Sequence, residues 1–220
     1  GYLLDNPWNV SLDRAWAAGL ILADTLISRN LGVRPVTLVG FSIGSRLIYS
    51  CLLELAKKGA YDLVENVIIF GAPFVYNSEQ LSLCRSVVSG RFINGYSKKD
   101  WILGYLFRAT SGGIRRVVGL SPIEGIEGIE NFDCTHHVTG HMEYRKAMPR
   151  LLSMVGWDVL SEEFVEIDEP DPEQAERQRE LVLEFEENAQ QVLKDKSKVS
   201  TKKKGWKSWF KPKRKEWWEV

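Results

Sequence analysis

Val36–Thr37–Leu38–Val39–Gly40–Phe41–Ser42–Ile43–Gly44–Ser45–Arg46–Leu47–Ile48 is the stretch whose reading decides the fold. Val36 to Val39 is a short β-branched run, led in by Pro35, that reads as a fully buried strand ending at Gly40. From Ile43 to Lys58 the residues Leu47, Ile48, Cys51, Leu52, Leu55 and Ala56 recur at helical spacing, with Gly59 placed as a C-cap. Between strand and helix stands Gly40–Phe41–Ser42–Ile43–Gly44, a G-x-S-x-G pentapeptide. The pattern alone is weak evidence. Its strand–turn–helix setting is what a nucleophile elbow requires. In so tight a turn a side chain at either glycine is expected to collide with neighbouring backbone. Ser42 is then strained, with its hydroxyl exposed, and the Ile43 N–H faces a developing oxyanion, aided by the helix dipole. The plainer alternative is a serine N-cap in a glycine-rich turn.

Outward from this stretch, helical and strand patterns alternate. Ser11–Leu12–Asp13 offers a helix start, apolar residues fill the turns from Ala15 to Leu31, and Gly32 stops the helix. Asn66–Phe70 is a second apolar strand, closed by Gly71–Ala72–Pro73. A helix-like stretch around Leu81–Val88 precedes a third strand, Arg91–Tyr96, and Ile129–Cys134 is a weaker fourth. Strands joined by helices imply parallel pairing and an α/β layer architecture.

A serine hydroxyl needs a base to act as a nucleophile, so a histidine and a carboxylate should follow. Asp100 lies just past the third strand, in Tyr96–Ser97–Lys98–Lys99–Asp100–Trp101. His141 lies in a loop after the fourth, in Thr139–Gly140–His141–Met142. The order Ser42, Asp100, His141 is that of α/β-hydrolases. Asp133 competes as the acid but sits inside a strand, and spacing does not choose between His137 and His141. Cys134, His136, His137 and His141 also invite a metal reading. Gly140 and the β-branched Val138–Thr139 disfavour the helix that reading needs, and no H-E-x-x-H is present. The Ser111–Gly112–Gly113 turn lacks the Gly-Lys-Ser/Thr of a phosphate loop and reads as a plain loop. Neither metal nor cofactor is expected.

Composition adds an organisation. The 220 residues hold 29 basic and 29 acidic side chains, but unevenly. Residues 1–157 carry a net charge of +3, residues 158–193 of −11 and residues 194–220 of +8. The first is long enough for one domain with a sizeable core. The second reads as an acidic linker through Asp168–Glu169–Pro170–Asp171–Pro172 and then a solvated helix; the third is a basic tail. Three scattered cysteines, Cys51, Cys84 and Cys134, suit reduced buried thiols of an intracellular protein rather than a disulfide framework. No apolar run reaches the roughly 18 residues of a membrane span. The longest, Ala15–Ile27, contains Asp24 and reads as a buried helix. The chain opens with Gly1 and shows no signal peptide, which suggests a processed product or part of a longer chain.

Gly40–Phe41–Ser42–Ile43–Gly44 with the following Ser45 to Ala56, Val64–Val67 through Gly71–Ala72–Pro73, Gly90–Arg91–Phe92, Tyr96 to Leu103, and Gly140–His141–Met142–Glu143–Tyr144–Arg145 appear in one order. Together they resemble the transmembrane and coiled-coil domain-containing protein 4 family, an α/β-hydrolase-like family with fungal members. The resemblance covers roughly residues 1–157. It implies an α/β-hydrolase fold from the elbow strand onward, with Ser42, Asp100 and His141 as the triad, and it supplies no substrate. It also implies upstream elements: a strand and loop giving a second oxyanion N–H, and a hydrophobic, membrane-embedded region. Ile123–Glu130 repeats an Ile-Glu-Gly unit where the family is shorter, a loop placed to alter access to the site.

Four of the eight tryptophans fall in the last 15 residues, among lysines. Trp206, Trp209 and Phe210 share one helical face, and Trp217–Trp218 offer a second contact beyond Pro212. Aromatics flanked by lysines describe an interfacial anchor. A trafficking-type protein partner, or the tail folding onto the acidic segment, would use the same residues. The expectation is therefore a serine hydrolase of esters or lipids on the cytoplasmic side of a membrane, integral to it if the upstream region spans. The alternative is a non-catalytic scaffold that tethers through its tail. No nucleic-acid partner is expected.

Overall fold

Four strands, β1 (Val36–Phe41), β2 (Val64–Phe70), β3 (Phe92–Tyr96) and β4 (Ile129–Asp133), form one sheet in the order β1-β2-β3-β4, every pair parallel. This computed structural model describes residues 7–110 and 116–165, all within one unit, Gly1–Glu166. Parallel neighbours need crossovers. They are supplied by α2 (Ile43–Lys57), α3 (Ser78–Ser86) and α4 (Trp101–Thr110), with α1 (Pro7–Ile27) before the sheet and α5 (Tyr144–Met154) after it. The chain has an α/β fold.

Helices cover both faces. On one, Val64, Val67, Ile69 and Phe92 meet Ala23 and Leu26 of α1, Ile48, Cys51, Leu52 and Leu55 of α2, and Leu81 and Cys84 of α3. On the other, Ile68, Phe70 and Ile93 meet Tyr144 and Leu151 of α5 together with Cys134 and Val138. Alternate residues of β2 thus feed opposite cores, which is why Val67 to Phe70 are apolar without a break.

Local signals explain the ends. Asn77 caps α3 by accepting from Gln80 N at 3.0 Å. After α2, Gly59 takes φ +62° and the Ala60 N–H returns to Leu55 O at 2.9 Å, closing the helix through a left-handed glycine.

Several expectations change. The helix read from Ser11–Asp13 begins at Pro7 and ends at Ile27; Ser28 to Gly32 form a turn in which Arg29 and Gly32 both have positive φ. That helix is buried on one face only, and Ile21 is 67% exposed, because α1 packs on α2 along a single stripe. Nor is β1 fully buried. Val36 and Leu38 pack on the α1–α2 side, while Val39 and Phe41 remain exposed, since among the described residues β1 is an edge strand with one covered face. Two helices, α4 and α5, have no counterpart among the elements expected from the sequence.

The cysteines Cys51, Cys84 and Cys134 are free and buried. Burial pushes the thiols of Cys51 and Cys134 up to about 12 and that of Cys84 higher still. A disulfide reagent at neutral pH should therefore modify no cysteine of the folded chain and all three in urea; reaction of the native chain would contradict this packing. Leu52, fully buried in the larger core, should cost about 2–5 kcal/mol of stability on Leu52→Ala, read from urea unfolding midpoints.

Candidate active site

In a parallel sheet the loops after the strands gather at one edge, where α/β folds place their ligands. Ser42 follows β1 directly, Asp100 follows β3, and His141 follows β4. Three distant segments therefore converge at the carboxyl ends of the strands.

The elbow is a strained turn. Ser42 has φ 49° and ψ −125°, a region that residues with a Cβ seldom enter. Its N–H donates to Phe70 O of β2 at 2.9 Å. The buried Ser45 hydroxyl sits 3.0 Å from both Gly40 O and Phe70 O, tying the first turn of α2 to the ends of β1 and β2. A Cβ on Gly40 would stand 2.8 Å from Ile48 Cδ1 and 2.9 Å from the Gly44 carbonyl carbon, so the strand can fold back onto its helix only with glycine there. Gly44 differs from expectation: among the described residues a Cβ at that position meets nothing within 4 Å. Its backbone crowds Gly40; its own missing side chain relieves nothing.

Ser42 occupies the N-cap position of α2, yet its side chain makes no capping hydrogen bond. The capping alternative therefore fails. The hydroxyl turns to His141, with Oγ 2.5 Å from Nε2. His141 Nδ1 lies 2.6 Å from Asp100 Oδ2. The other oxygen of Asp100, Oδ1, accepts from Leu103 N at 3.0 Å in the first turn of α4. One carboxylate thus caps a helix and orients an imidazole, with its charge at a helix N-terminus, where the dipole favours it. Asp100 and His141 are 1% and 4% exposed.

The two loops that carry acid and histidine are fastened to each other. Ser97 Oγ donates to Val138 O at 3.2 Å, and Lys98 N donates to Thr135 Oγ1 at 3.1 Å. Glu143 clamps the histidine loop by accepting from Thr139 N at 3.0 Å and from Thr139 Oγ1 at 2.6 Å.

The competing residues lie elsewhere. His137 stacks on Phe132, and His136 is exposed. Asp133 accepts from Thr135 N at 2.9 Å and pairs with Lys98 at 3.4 Å; the hydrogen bonds from Thr135 and Lys98 hold its carboxyl below its usual range despite partial desolvation. No group of three or more His, Cys, Asp or Glu side chains placed to hold a metal occurs among the described residues. Ile43 opens α2, so its N–H belongs to the first turn, which lacks intrahelical acceptors. Trp206, Trp209, Phe210, Trp217 and Trp218, and the Ser111–Gly113 turn, lie outside the described residues.

Trp8 escaped the sequence reading. It is 5% exposed, and its ring lies 6.4 Å from that of His141. The signal that could have found it is Pro7, a residue suited to the first position of a helix.

Residues 1–158 match the family described as "Protein of unknown function (DUF726)". The chain belongs to this family. Among similar proteins, "Probable lipase MIL1" of Saccharomyces cerevisiae is 59% identical over 219 residues, covering 99% of this chain and 20% of that protein. "Uncharacterized membrane protein C6F6.13c" of Schizosaccharomyces pombe is 57% identical over 202 residues, 90% of this chain and 26% of that protein. "Transmembrane and coiled-coil domain-containing protein STS1" of Oryza sativa subsp. japonica is 43% identical over 152 residues, 68% and 22% respectively. The chain thus spans about a fifth to a quarter of the length of these relatives, and the words transmembrane and coiled-coil reappear in one of their names. No solved structure matches it. No helix among the described residues is long and apolar enough to cross a membrane.

The glycine geometry yields a contrast. Gly40→Ala should destabilise the chain by about 1–3 kcal/mol through overpacking, whereas Gly44→Ala should stay within about 1 kcal/mol of the parent. Equal effects in thermal or urea unfolding would contradict the crowding at Gly40.

Proposed function

We propose that this chain carries the nucleophile, base and acid of a serine hydrolase that cleaves carboxylic esters, lipid esters among them. The single observation that supports this reading most is the unbroken run Ser42 Oγ, His141 Nε2, His141 Nδ1, Asp100 Oδ2, with contacts of 2.5 and 2.6 Å. The name "Probable lipase" borne by the yeast relative points the same way.

In this reading Ser42 Oγ attacks the ester carbonyl while His141 Nε2 takes its proton. Asp100 holds the imidazole in the tautomer with hydrogen on Nδ1 and stabilises the imidazolium that forms. The Ile43 N–H donates to the tetrahedral oxyanion at the N-terminus of α2. Collapse expels the alcohol, which takes the proton from His141. Water, deprotonated by the same imidazole, then releases the acid and restores Ser42. The strained turn keeps the hydroxyl from capping its own helix, so it stays available for attack.

The basic, tryptophan-rich end of the sequence favours a location at the cytoplasmic face of a membrane, reached through Trp206, Trp209, Phe210, Trp217 and Trp218. The same residues suit a second reading, a non-catalytic scaffold that tethers membranes or trafficking-type partners.

A fluorophosphonate probe separates the two. The full-length protein should be labelled, labelling should vanish in Ser42→Ala, and Asp100→Asn should lower turnover about 10⁴-fold. A folded, unlabelled full-length protein would leave the scaffold reading. For the tail, binding to anionic vesicles should weaken with salt and be lost in Trp206→Ala/Trp209→Ala; binding that survives both would remove the anchor.

A further inference from the structure

α1 and α2 lie side by side in the same sense. Arg46 Nε donates to Leu12 O at 3.0 Å and Ser50 Oγ donates to Trp16 O at 2.7 Å, so a step of four residues on one helix matches four on the other. Gly19 makes the approach possible: a Cβ there would stand 2.4 Å from Leu47 O and 2.6 Å from Ser50 Cβ. The N-terminal end of α1 is thereby carried to the N-terminal end of α2, which is the Ser42 elbow. Trp8, in the first turn of α1, reaches across it to His141.

Two aromatic rings meet this imidazole edge-on. Trp8 does so at 6.4 Å and 81°, and Tyr144 of α5 at 6.1 Å and 79°. The two hydrogen bonds of His141 leave through opposite sides of its ring, one at Nδ1 and one at Nε2. The ring plane turns about the Cβ–Cγ bond, and both nitrogens lie close to that axis, so the two hydrogen bonds oppose small turns only weakly. Ring contacts from the side add to that resistance and hold the plane. Trp8 and Tyr144 supply them, from helices on opposite faces of the sheet.

We propose that Trp8 is a positioning residue of His141: it fixes the plane of the imidazole and keeps water from the His141–Asp100 hydrogen bond. Among the described residues, the ionisable groups in contact with that imidazole include Asp100, from the loop after β3, and Tyr144, whose phenol is pushed upward chiefly by burial. Its effect on turnover rests on the serine-hydrolase reading; its effect on the imidazole does not.

The test therefore uses two readouts on the full-length protein. In proton NMR the His141 Nδ1–H should appear as a low-field resonance, visible also in Ser42→Ala. Trp8→Ala should broaden it by exchange with solvent, and Trp8→Phe should restore it. In turnover of a short soluble ester, Trp8→Ala should lower kcat by about 10–100-fold with KM little changed, and Trp8→Phe should recover most of the loss. If Trp8→Ala fails to fold, Trp8→Leu, which keeps apolar bulk without a ring, should show the same two losses. A folded Trp8→Ala or Trp8→Leu with the parent resonance and parent kcat overturns the proposal. Loss of the resonance in a protein that never turns over ester would uphold the positioning role and remove the hydrolase reading instead.

Discussion

The backbone at Ser42 is the constraint on which the rest of this site depends. A strand must end, reverse and become a helix within two residues, and the residue at the apex is held at φ 49°. Such a conformation costs on the order of 1–3 kcal/mol and persists only where the surroundings over-determine it. Here they do: Phe70 O takes the Ser42 N–H, the Ser45 hydroxyl bridges β1 and β2, and Gly40 leaves room for Ile48 and Gly44. The strained turn denies the serine its capping bond and delivers its hydroxyl to an imidazole from a loop 99 residues away.

Around that turn the sheet acts as a locating device. Parallel pairing in sequence order brings the ends of β1, β3 and β4 to one edge, and cross-loop bonds from Ser97 and Lys98 to Val138 and Thr135 set the acid and histidine loops relative to each other. Asp100 is used twice, by α4 and by His141, so the orientation of the imidazole is coupled to the start of a helix. The relatives carry names that speak of membranes and, in one case, of a lipase, and this chain matches only a fraction of their length.

Much of this was legible in the residues, for physical reasons. A parallel strand buried on both faces reads as an unbroken apolar run, so Val67–Phe70 of β2 stands out, β3 shows through Phe92, Ile93 and Tyr96 despite the buried Asn94, and the elbow glycines mark a turn that needs at least one of them. What escaped has equally specific causes. Helix α5 hides its stripe of Tyr144, Met148 and Leu151 among Arg145, Lys146, Pro149 and Arg150. Helix α4, as Trp101–Ile102–Leu103–Gly104–Tyr105–Leu106–Phe107, is apolar without period and interrupted by glycine. The choice between His137 and His141 was tertiary: the stack of His137 on Phe132 and the Glu143 clamp that presents His141 leave no trace in spacing. Trp8 is hidden because the helix-start signal Ser11–Leu12–Asp13 lies four residues beyond Pro7, where α1 begins.

The central proposal is that Ser42 attacks an ester carbonyl whose developing oxyanion is met by the first N–H of α2. A crystal structure of the fluorophosphonate-treated full-length protein tests it most directly. The account predicts phosphorus bonded to Ser42 Oγ, with its phosphoryl oxygen within hydrogen-bond distance of Ile43 N and His141 Nε2 beside the adduct. Phosphorus on any other residue, or a phosphoryl oxygen turned away from the N-terminus of α2, would contradict it.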